Sequence, residues 1–248
     1  MIISVVNHTN GAYADEDVQH AIRAINTQIA RDFEPYWSMG ALLRLEGKTG
    51  AKPDPHATEV RGDAVIYLWD KVQSDAALGY HDKTNRGLPY GFVFTDLAKR
   101  LGESWTVTLS HEALELIADP EANLLVKAPH PRDPKREAFF WYEMCDAVQD
   151  ERYEVNGVEV SNFVLPLYFT SGDEHGGRND FLGRVHAGKT LRSFGVNPGG
   201  YVGFYDRATG EPDTFLHPGQ RAAEREQIKS AALAARRASR YRRRRSGG

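Results

Sequence analysis

Residues 104–119 read SWTVTLSHEALELIAD, and this stretch decides which fold the neighbouring segments can build. Ser104 is a residue type that caps helix starts, and Pro120 disfavours helical backbone at the residue before it. Between these two signals the apolar side chains recur at helical spacing. The sequence therefore predicts a helix over residues 104–119, with apolar positions at Trp105, Val107, Leu109, Leu114 and Ile117.

The predicted helix carries the motif His-Glu-x-x-Glu. Each residue turns a helix by about 100°, so residues four apart lie about 40° apart around its axis. His111, Glu115 and Asp119 therefore form one stripe, with Glu112 beside it. Two side chains of such a stripe can hold a metal while the adjacent carboxylate reaches a bound water, as in HExxH zinc sites. Glu115 replaces the second histidine, and its oxygen makes the site less selective for zinc over manganese or iron.

A purely structural interpretation of the motif stays open. HExxE also arises by chance on acidic helices, where His111 and Glu115 would be solvated and make an ordinary contact one turn apart. Asp119 favours a site, because a negative charge at a helix C-terminus is disfavoured by about 0.3–1 kcal/mol and needs an offset such as a cation or an arginine. Asp-Pro is also common in turns, so this observation has little weight.

A second acidic cluster lies in the aromatic run over residues 138–148, AFFWYEMCDAV. Buried carboxylates need partners, and a metal is one of them. If the segment is helical, Glu143 and Asp146 share a face, whereas a strand places Glu143 with Cys145. Either acid is a candidate third ligand. Cys145 could ligate as a thiolate, although a single cysteine is more often a small core residue.

Other histidines are weaker candidates. His8, His20, His81 and His130 are scattered along the chain, which is typical of structural or exposed residues. Tyr80 and His81 precede an extended segment, and we expect them to face a substrate as a polar pair.

The rest of the chain predicts an α+β or mixed α/β fold. An amphipathic helix should run from Asp15 to Phe33 and end at Pro35, and AVIYLW at residues 64–69 should be a central strand. Asn156-Gly157 marks a hairpin, whereas residues 128–137 and 171–220 resemble loops. Further strands are expected at 1–8 and 41–46, two extended pieces at 77–94, and a short helix at 95–101.

Composition places the chain among globular proteins of the soluble type. It has 248 residues, of which 41% are hydrophobic and 26% charged. No apolar run approaches the roughly 18 residues that cross a bilayer, and the first residues lack the pattern of a secretory signal. Cys145 is the single cysteine, so no intrachain disulfide can form. We therefore expect a cytoplasmic protein without a membrane partner.

Charge divides the chain into an acidic body and a basic tail. Residues 221–248 carry ten basic and two acidic residues, or +8, so the other 220 residues carry −11 of the total −3. We expect one domain over residues 1–218 and a helix-prone to disordered tail over 219–248. The tail is either a solvated, frayed end or a site of weak electrostatic binding to nucleic acid or an acidic partner.

Five stretches of the sequence carry a resemblance to known proteins: VVNHTNG, GYHD with GLPYGFVF, SHEALELIADP, EMCD and VSNFVLPLYF. Together they resemble a family of uncharacterised bacterial and phage-borne proteins that have an HExxE helix. The resemblance covers most of residues 1–205, and the helix with its neighbours also resembles the zincin metallopeptidases. The resemblance to zincins implies that His111 and Glu115 are metal ligands and that Glu112 is the general base. It also implies that the extended piece ending at Phe94 is an edge strand that pairs with a peptide.

These observations combine into one expectation for fold and function. The fold should be zincin-like α+β, with a mixed sheet, an N-terminal amphipathic helix, an HExxE helix and a loop-rich C-terminal part. The function should be that of a metal-dependent hydrolase, with a peptidase acting on peptide or protein as the leading expectation. Zinc or another divalent metal should bind His111 and Glu115, with Asp146 or Glu143 as third ligand. The alternatives are a catalytically inactive zincin-like scaffold or assembly protein, and a nucleic-acid accessory protein that acts through its Arg-rich tail.

Overall fold

The computed structural model of the chain describes residues 1–46, 62–70, 79–84, 87–170 and 177–217, without the side chain of Tyr80. Its helices are α1 (Asp15–Gln28), α2 (Glu34–Trp37), α3 (Thr95–Arg100) and α4 (Trp105–Ala118). Its strands are β1 (Ile2–His8), β2 (Leu42–Glu46), β3 (Ala64–Trp69), β4 (Gly79–Lys83), β5 (Pro89–Phe94), β6 (Leu125–His130), β7 (Asp133–Trp141), β8 (Arg152–Val155), β9 (Val158–Ser161), β10 (Tyr201–Asp206) and β11 (Glu211–Leu216). The basic tail lies outside the described residues, so the predictions for it stay predictions.

A five-stranded mixed sheet forms the first half of the fold, in the order β2-β1-β3-β5-β4. Strands β1, β2, β3 and β5 are parallel, and β4 runs antiparallel to β5. The prediction that β3 is central is confirmed, because it pairs on both sides and Ala64 to Leu68 are all buried. A strand that is buried on both faces has a continuous apolar run, as AVIYLW has.

The strand at one edge of the five-stranded sheet is not the strand that the sequence predicts. The segment ending at Phe94 is β5, which pairs with β3 on one side and β4 on the other, so its prediction as an edge was wrong. Val93 and Gly91 on one face and Phe94 on the other are buried, which suits an interior strand. The edge is β4, whose sequence GYHDK carries the charges that edge strands commonly have.

The N-terminal helix starts at Asp15 as predicted but does not end at Pro35. A π-helical turn over Ile29–Phe33 follows α1, and α2 then continues the helix to Trp37. Pro35 lies in the first turn of α2, where its missing N–H leaves no helical hydrogen bond unmade. Ser38 ends the helix with a left-handed backbone (φ 53°).

A second sheet contradicts the expectation of a loop at 128–137 and, within 171–220, the expectation for residues 201–216. It is antiparallel, in the order β11-β10-β7-β6. The described residues 177–200 are irregular apart from isolated bridges, as expected. The sequence around Pro134 predicts a loop, whereas the structure has strand β7 there. The proline is tolerated because β10 pairs with β7 only from Ala138 onward, so no hydrogen bond between these two strands is lost at Pro134. Pro212 similarly lies on β11, at the edge. The hairpin of β8 and β9 is confirmed, with positive φ at both Asn156 (50°) and Gly157 (78°) as a type I′ turn requires.

The helix that carries the motif lies in the interior. All fourteen residues of α4 are buried, and the helix packs against β4, β5 and β9. Two buried polar side chains and the backbone of Ser161 fix its position: the Ser110 hydroxyl donates to Gln28 Oε1 (2.6 Å), the Ser161 N–H donates to Ser110 Oγ (3.1 Å), and Gln28 Nε2 donates to the Ser161 carbonyl (2.8 Å). The described residues thus form an α+β fold with mixed sheets around a buried HExxE helix. Among them, every helix is too short or too polar to cross a bilayer.

Candidate metal centre

The motif residues of α4 form the predicted stripe, but inside the protein. Nε2 of His111 lies 3.1 Å from Oε1 of Glu115, one helical turn away. Glu112 and Glu115 are only 3% and 1% exposed. Because burying a charged carboxylate is costly unless it is paired, the interpretation of HExxE as a solvated surface pattern does not hold.

Asp119 belongs to the helix terminus and not to the cluster. Its Oδ2 accepts a hydrogen bond from the backbone N–H of Leu124 at 2.8 Å, and its carbonyl accepts one from Ala122 at 2.9 Å. The unfavourable charge at the end of α4 is therefore offset by a backbone donor, where the sequence argument anticipated a cation or an arginine.

The second acidic cluster reaches the same site from the loop after β7. Oδ1 of Asp146 lies 3.3 Å from Nε2 of His111, and Oε2 of Glu143 lies 3.8 Å from Nε2 of His81. The segment is neither a regular helix nor a strand at this point, since β7 ends at Trp141 and a 3₁₀ turn begins at Asp146. This irregular backbone brings both carboxylates inward, each beside a different histidine.

Cys145 supports the cluster through its backbone. Its N–H donates to Oε1 of Glu115 at 3.1 Å, while its sulfur lies 3.9 Å from the carbonyl of His111. Burial, together with the nearby negative charge of Glu115, raises the pKa of the thiol well above its usual value. A bound cation deprotonates a coordinating thiol, and the Cys145 sulfur forms one candidate donor group with His111 and Glu115.

His81 occupies a position that the sequence alone does not predict. Its side chain is fully buried, with Nδ1 3.5 Å from Oε2 of Glu112 and 3.8 Å from Oε2 of Glu115. It was expected to face a substrate or to be structural, and it instead joins the acidic cluster. Tyr80, its expected partner, pairs with Phe92 in the β4–β5 register, and its side chain lies outside the described part. Side chains alternate along a strand, so a correct assignment of β4 would have placed His81 and Gly79 on one face.

The absence of a side chain at Gly79 leaves the space that the Glu112 carboxylate occupies. A Cβ at Gly79 would lie 2.6 Å from Oε1 of Glu112 and 2.8 Å from the carbonyl of Phe92. Both distances are too short for non-bonded atoms, so only glycine lets the edge strand approach α4 this closely. No sequence signal short of the strand pairing itself would have identified this position.

The electrostatics of the cluster favour positive charge. Burial opposes protonation of His111, but Glu115 and Asp146 outweigh it and hold the pKa of the imidazole well above its usual value. Oε2 of Glu112 is buried and accepts no hydrogen bond from any residue that the structure describes. In a metal site a cation takes the place of such a proton and leaves the histidine neutral.

The donor spacing is compatible with a single bound ion. Ligand atoms about 2.0–2.2 Å from a tetrahedral zinc lie about 3.3–3.6 Å from one another. Nε2 of His111 lies 3.1 Å from Glu115 and 3.3 Å from Asp146. The two distances measured from His111 therefore suit the expected divalent metal, and Glu112 is the neighbouring carboxylate.

A small cavity of about 10 Å³ lies beside the cluster. Glu143 and Asp146 line it, together with aromatic and small residues: Phe140, Trp141, Tyr168, Phe169, Val202 and Gly203. A volume of this size is about the least that a single water molecule needs, so the cavity suits an ion or a single water.

Comparisons with protein-family models, with curated proteins and with solved structures find no match to this chain. The resemblance to zincins and to phage-borne proteins therefore stays a prediction. The function proposed below is therefore inferred from the geometry of the buried cluster around His111, Glu112 and Glu115.

Proposed function

We propose that this protein is a zincin-like, metal-dependent hydrolase and, within that class, a peptidase. One observation carries the proposal: Nε2 of His111 lies 3.1 Å from Oε1 of Glu115 and 3.3 Å from Oδ1 of Asp146 in the interior, beside the buried carboxylate of Glu112. A cluster of this composition is expensive to bury without a cation. Catalytic metal sites commonly combine three protein ligands with an adjacent general base.

His111, Glu115 and Asp146 would hold zinc or another divalent ion. Asp146 is preferred to Glu143 as third ligand because it is the acid that lies next to His111. When bound, the ion would polarise a substrate carbonyl and lower the pKa of a coordinated water.

Glu112 is the proposed general base. Oε2, which accepts no hydrogen bond from the described residues, takes the proton of the attacking water and returns it to the leaving amine. Nδ1 of His81 lies 3.5 Å away and helps to orient this carboxylate. The amide of Cys145 fixes the neighbouring Glu115, so the ligand and the base keep distinct positions.

The edge strand β4 is the proposed substrate platform. An extended peptide can add to such an edge through backbone hydrogen bonds. Since β4 also carries His81 against α4, a peptide on this edge would run past the site. The expectation of a substrate strand is thus transferred from β5 to β4.

A catalytically inactive zincin-like scaffold is the second candidate. It is favoured by the small size of the cavity, about 10 Å³, and by the burial of His111. In that case the cluster would bind a metal for stability, and no substrate would reach it.

Glu112→Gln tests the proposal. Peptide hydrolysis, measured on a fluorogenic peptide library, should fall about 10²–10⁴-fold, which is the usual contribution of a general base. The metal content of the variant should remain that of the wild type. Glu159→Gln is the matched control, since Glu159 is exposed on β9 and pairs with Arg152. Unchanged hydrolysis in Glu112→Gln contradicts the mechanism, and a metal-loaded wild type without any hydrolysis supports the scaffold.

A further inference from the structure

We propose that the cluster holds two cations, the second bound by His81, Glu115 and Glu143, with Glu115 bridging the pair. This inference rests on the proposed metal centre at His111 and extends it. A single-metal site would need only one histidine and the acids beside it, yet the interior contains a second complete donor set.

The two oxygens of Glu115 face different histidines. Oε1 lies 3.1 Å from Nε2 of His111, whereas Oε2 lies 3.8 Å from Nδ1 of His81. A carboxylate held in this way offers one oxygen to each of two neighbouring ions. The N–H of Cys145 donates to Oε1 and so prevents the carboxylate from turning both oxygens to one side.

The second donor set comes from three separate elements. His81 lies on β4, Glu115 on α4 and Glu143 in the loop after β7, and one ligand atom of each lies within 4.8 Å of the others. The His81 side chain is fully buried and that of Glu143 nearly so. One imidazole with two carboxylates is an oxygen-rich set, which suits manganese or iron as well as zinc.

Glu112 provides an independent indication of an ion at this place. Its Oε2 is buried, lies 3.5 Å from Nδ1 of His81, and accepts no hydrogen bond from the described residues. A buried carboxylate oxygen without a donor carries a large desolvation cost, which an adjacent cation or its bound water removes. Glu112 belongs to neither ligand set, so its proposed role as base is unchanged.

The charge of the cluster agrees with two divalent ions. Glu112, Glu115, Glu143 and Asp146 carry four negative charges when ionised, and both imidazoles must be neutral in order to ligate. Two divalent cations carry the same charge with the opposite sign. Two-metal hydrolytic sites, aminopeptidases among them, hold their ions about 3.5–4 Å apart, so a bridging carboxylate is a natural shared ligand.

Metal stoichiometry of the full-length chain tests the inference. Protein saturated with Mn²⁺ and freed of excess metal should contain two equivalents by elemental analysis, and its electron paramagnetic resonance spectrum should show exchange-coupled Mn²⁺. His81→Asn should contain one equivalent and give the six-line spectrum of isolated Mn²⁺. His130→Asn is the matched control, because His130 is also buried beside a carboxylate (3.7 Å from Asp206) but lies outside the cluster.

The outcomes separate this inference from the proposed function. One equivalent in both the wild type and His81→Asn overturns the second site and leaves the first intact. No metal in the wild type overturns both. If His81→Asn fails to fold, as judged by circular dichroism, the wild type decides alone: an uncoupled spectrum at saturating Mn²⁺ overturns the pair.

Discussion

Two groups of buried carboxylates in this protein are satisfied in different ways. In the loop region that follows β7, Glu151 accepts hydrogen bonds from the side-chain amides of Asn162 and Asn197, both at 2.7 Å. Asp180 accepts from the same Asn162 amide at 2.9 Å and from the N–H of Gly183 at 2.8 Å. Glu151 also lies 2.7 Å from Nε2 of the partly exposed His186. In the α4 cluster the acids face two buried histidines and one another, and the two α4 carboxylates accept no hydrogen bond from a side-chain amide of any described residue.

The difference supports the proposal that the amide-bonded group is structural and that the α4 cluster binds a cation. Neutral amide donors stabilise a buried carboxylate without any ligand, so both oxygens of Glu151 in the loop group, which we call the amide network, are satisfied by side chains of the protein. Asp180 accepts through Oδ2 alone, and its Oδ1 accepts no hydrogen bond from the described residues. The cluster around Glu112 and Glu115 has one backbone donor, from Cys145, and ionisable partners that can release protons. A cation is therefore expected to stabilise the cluster and to leave the amide network unaffected.

Removing the shared amide should have the largest effect on stability. Asn162→Ala removes the amide donor of Glu151 Oε2 and one of the two donors of Asp180 Oδ2, and the N–H groups of Phe163 and Leu182 lose their acceptor. Since a buried polar group that is left unsatisfied costs about 1–3 kcal/mol, the free energy of unfolding should fall by roughly 2–4 kcal/mol in urea denaturation. The loss should be the same with metal and with chelator. The exposed Asn123→Ala is the control, and a loss that depends on metal would contradict the division into two groups.

Chelation should destabilise the protein only through the cluster. At a free metal concentration of 100 times the dissociation constant, binding stabilises the native state by about 2.7 kcal/mol. Wild-type protein should lose about this amount in EDTA, whereas the double variant His111→Ala/Glu115→Ala should be equally stable in metal and in EDTA. Thermal unfolding in the two buffers measures the difference, and a wild type insensitive to EDTA would count against a bound cation.

A smaller loss is expected from Gly79→Ala. The new Cβ meets Glu112 and the Phe92 carbonyl, and overpacking of this kind costs about 1–3 kcal/mol. Because Glu112 must shift, hydrolysis should also fall although every proposed ligand is present. Denaturation and peptide assays measure the two effects, and a variant indistinguishable from the wild type in both would mean that β4 does not constrain Glu112.

The smallest effect concerns pH. Burial raises the pKa of Asp180 above its ordinary value. A folded-state pKa above the unfolded one stabilises the protein at pH below the unfolded pKa, and the contribution is lost as pH rises through the folded pKa. Asp180→Asn, which can keep both hydrogen bonds to Oδ2, should therefore gain stability relative to wild type as pH rises from about 4 towards neutral. A difference in unfolding free energy that does not change with pH would contradict this account.

Local patterns predicted much of the fold. The start of α1 at Asp15, the central strand β3, the length of α4 and the hairpin at Asn156-Gly157 all depend on periodicity or turn chemistry within one segment. The end of α1 and the strands around Pro134 escaped prediction because proline is tolerated in a first helical turn and outside a paired ladder.

The site was predictable only where it depends on one helix. His111, Glu112 and Glu115 follow from helical spacing, and the nearby acids Glu143 and Asp146 from the cost of burying charge. His81 could not be assigned in this way, since its place depends on the pairing of β4 with β5 and on the docking of both against α4. Gly79 depends on the same long-range contacts.

The metal content of the purified, untagged protein tests the central claim most directly. After incubation with zinc or manganese and removal of excess metal, wild-type protein should retain at least one equivalent by elemental analysis. His111→Ala/Glu115→Ala should retain none, and Asn162→Ala, if folded, should retain as much as the wild type. Wild-type protein without metal after both incubations would contradict the account and leave the α4 cluster as a proton-bridged structural core.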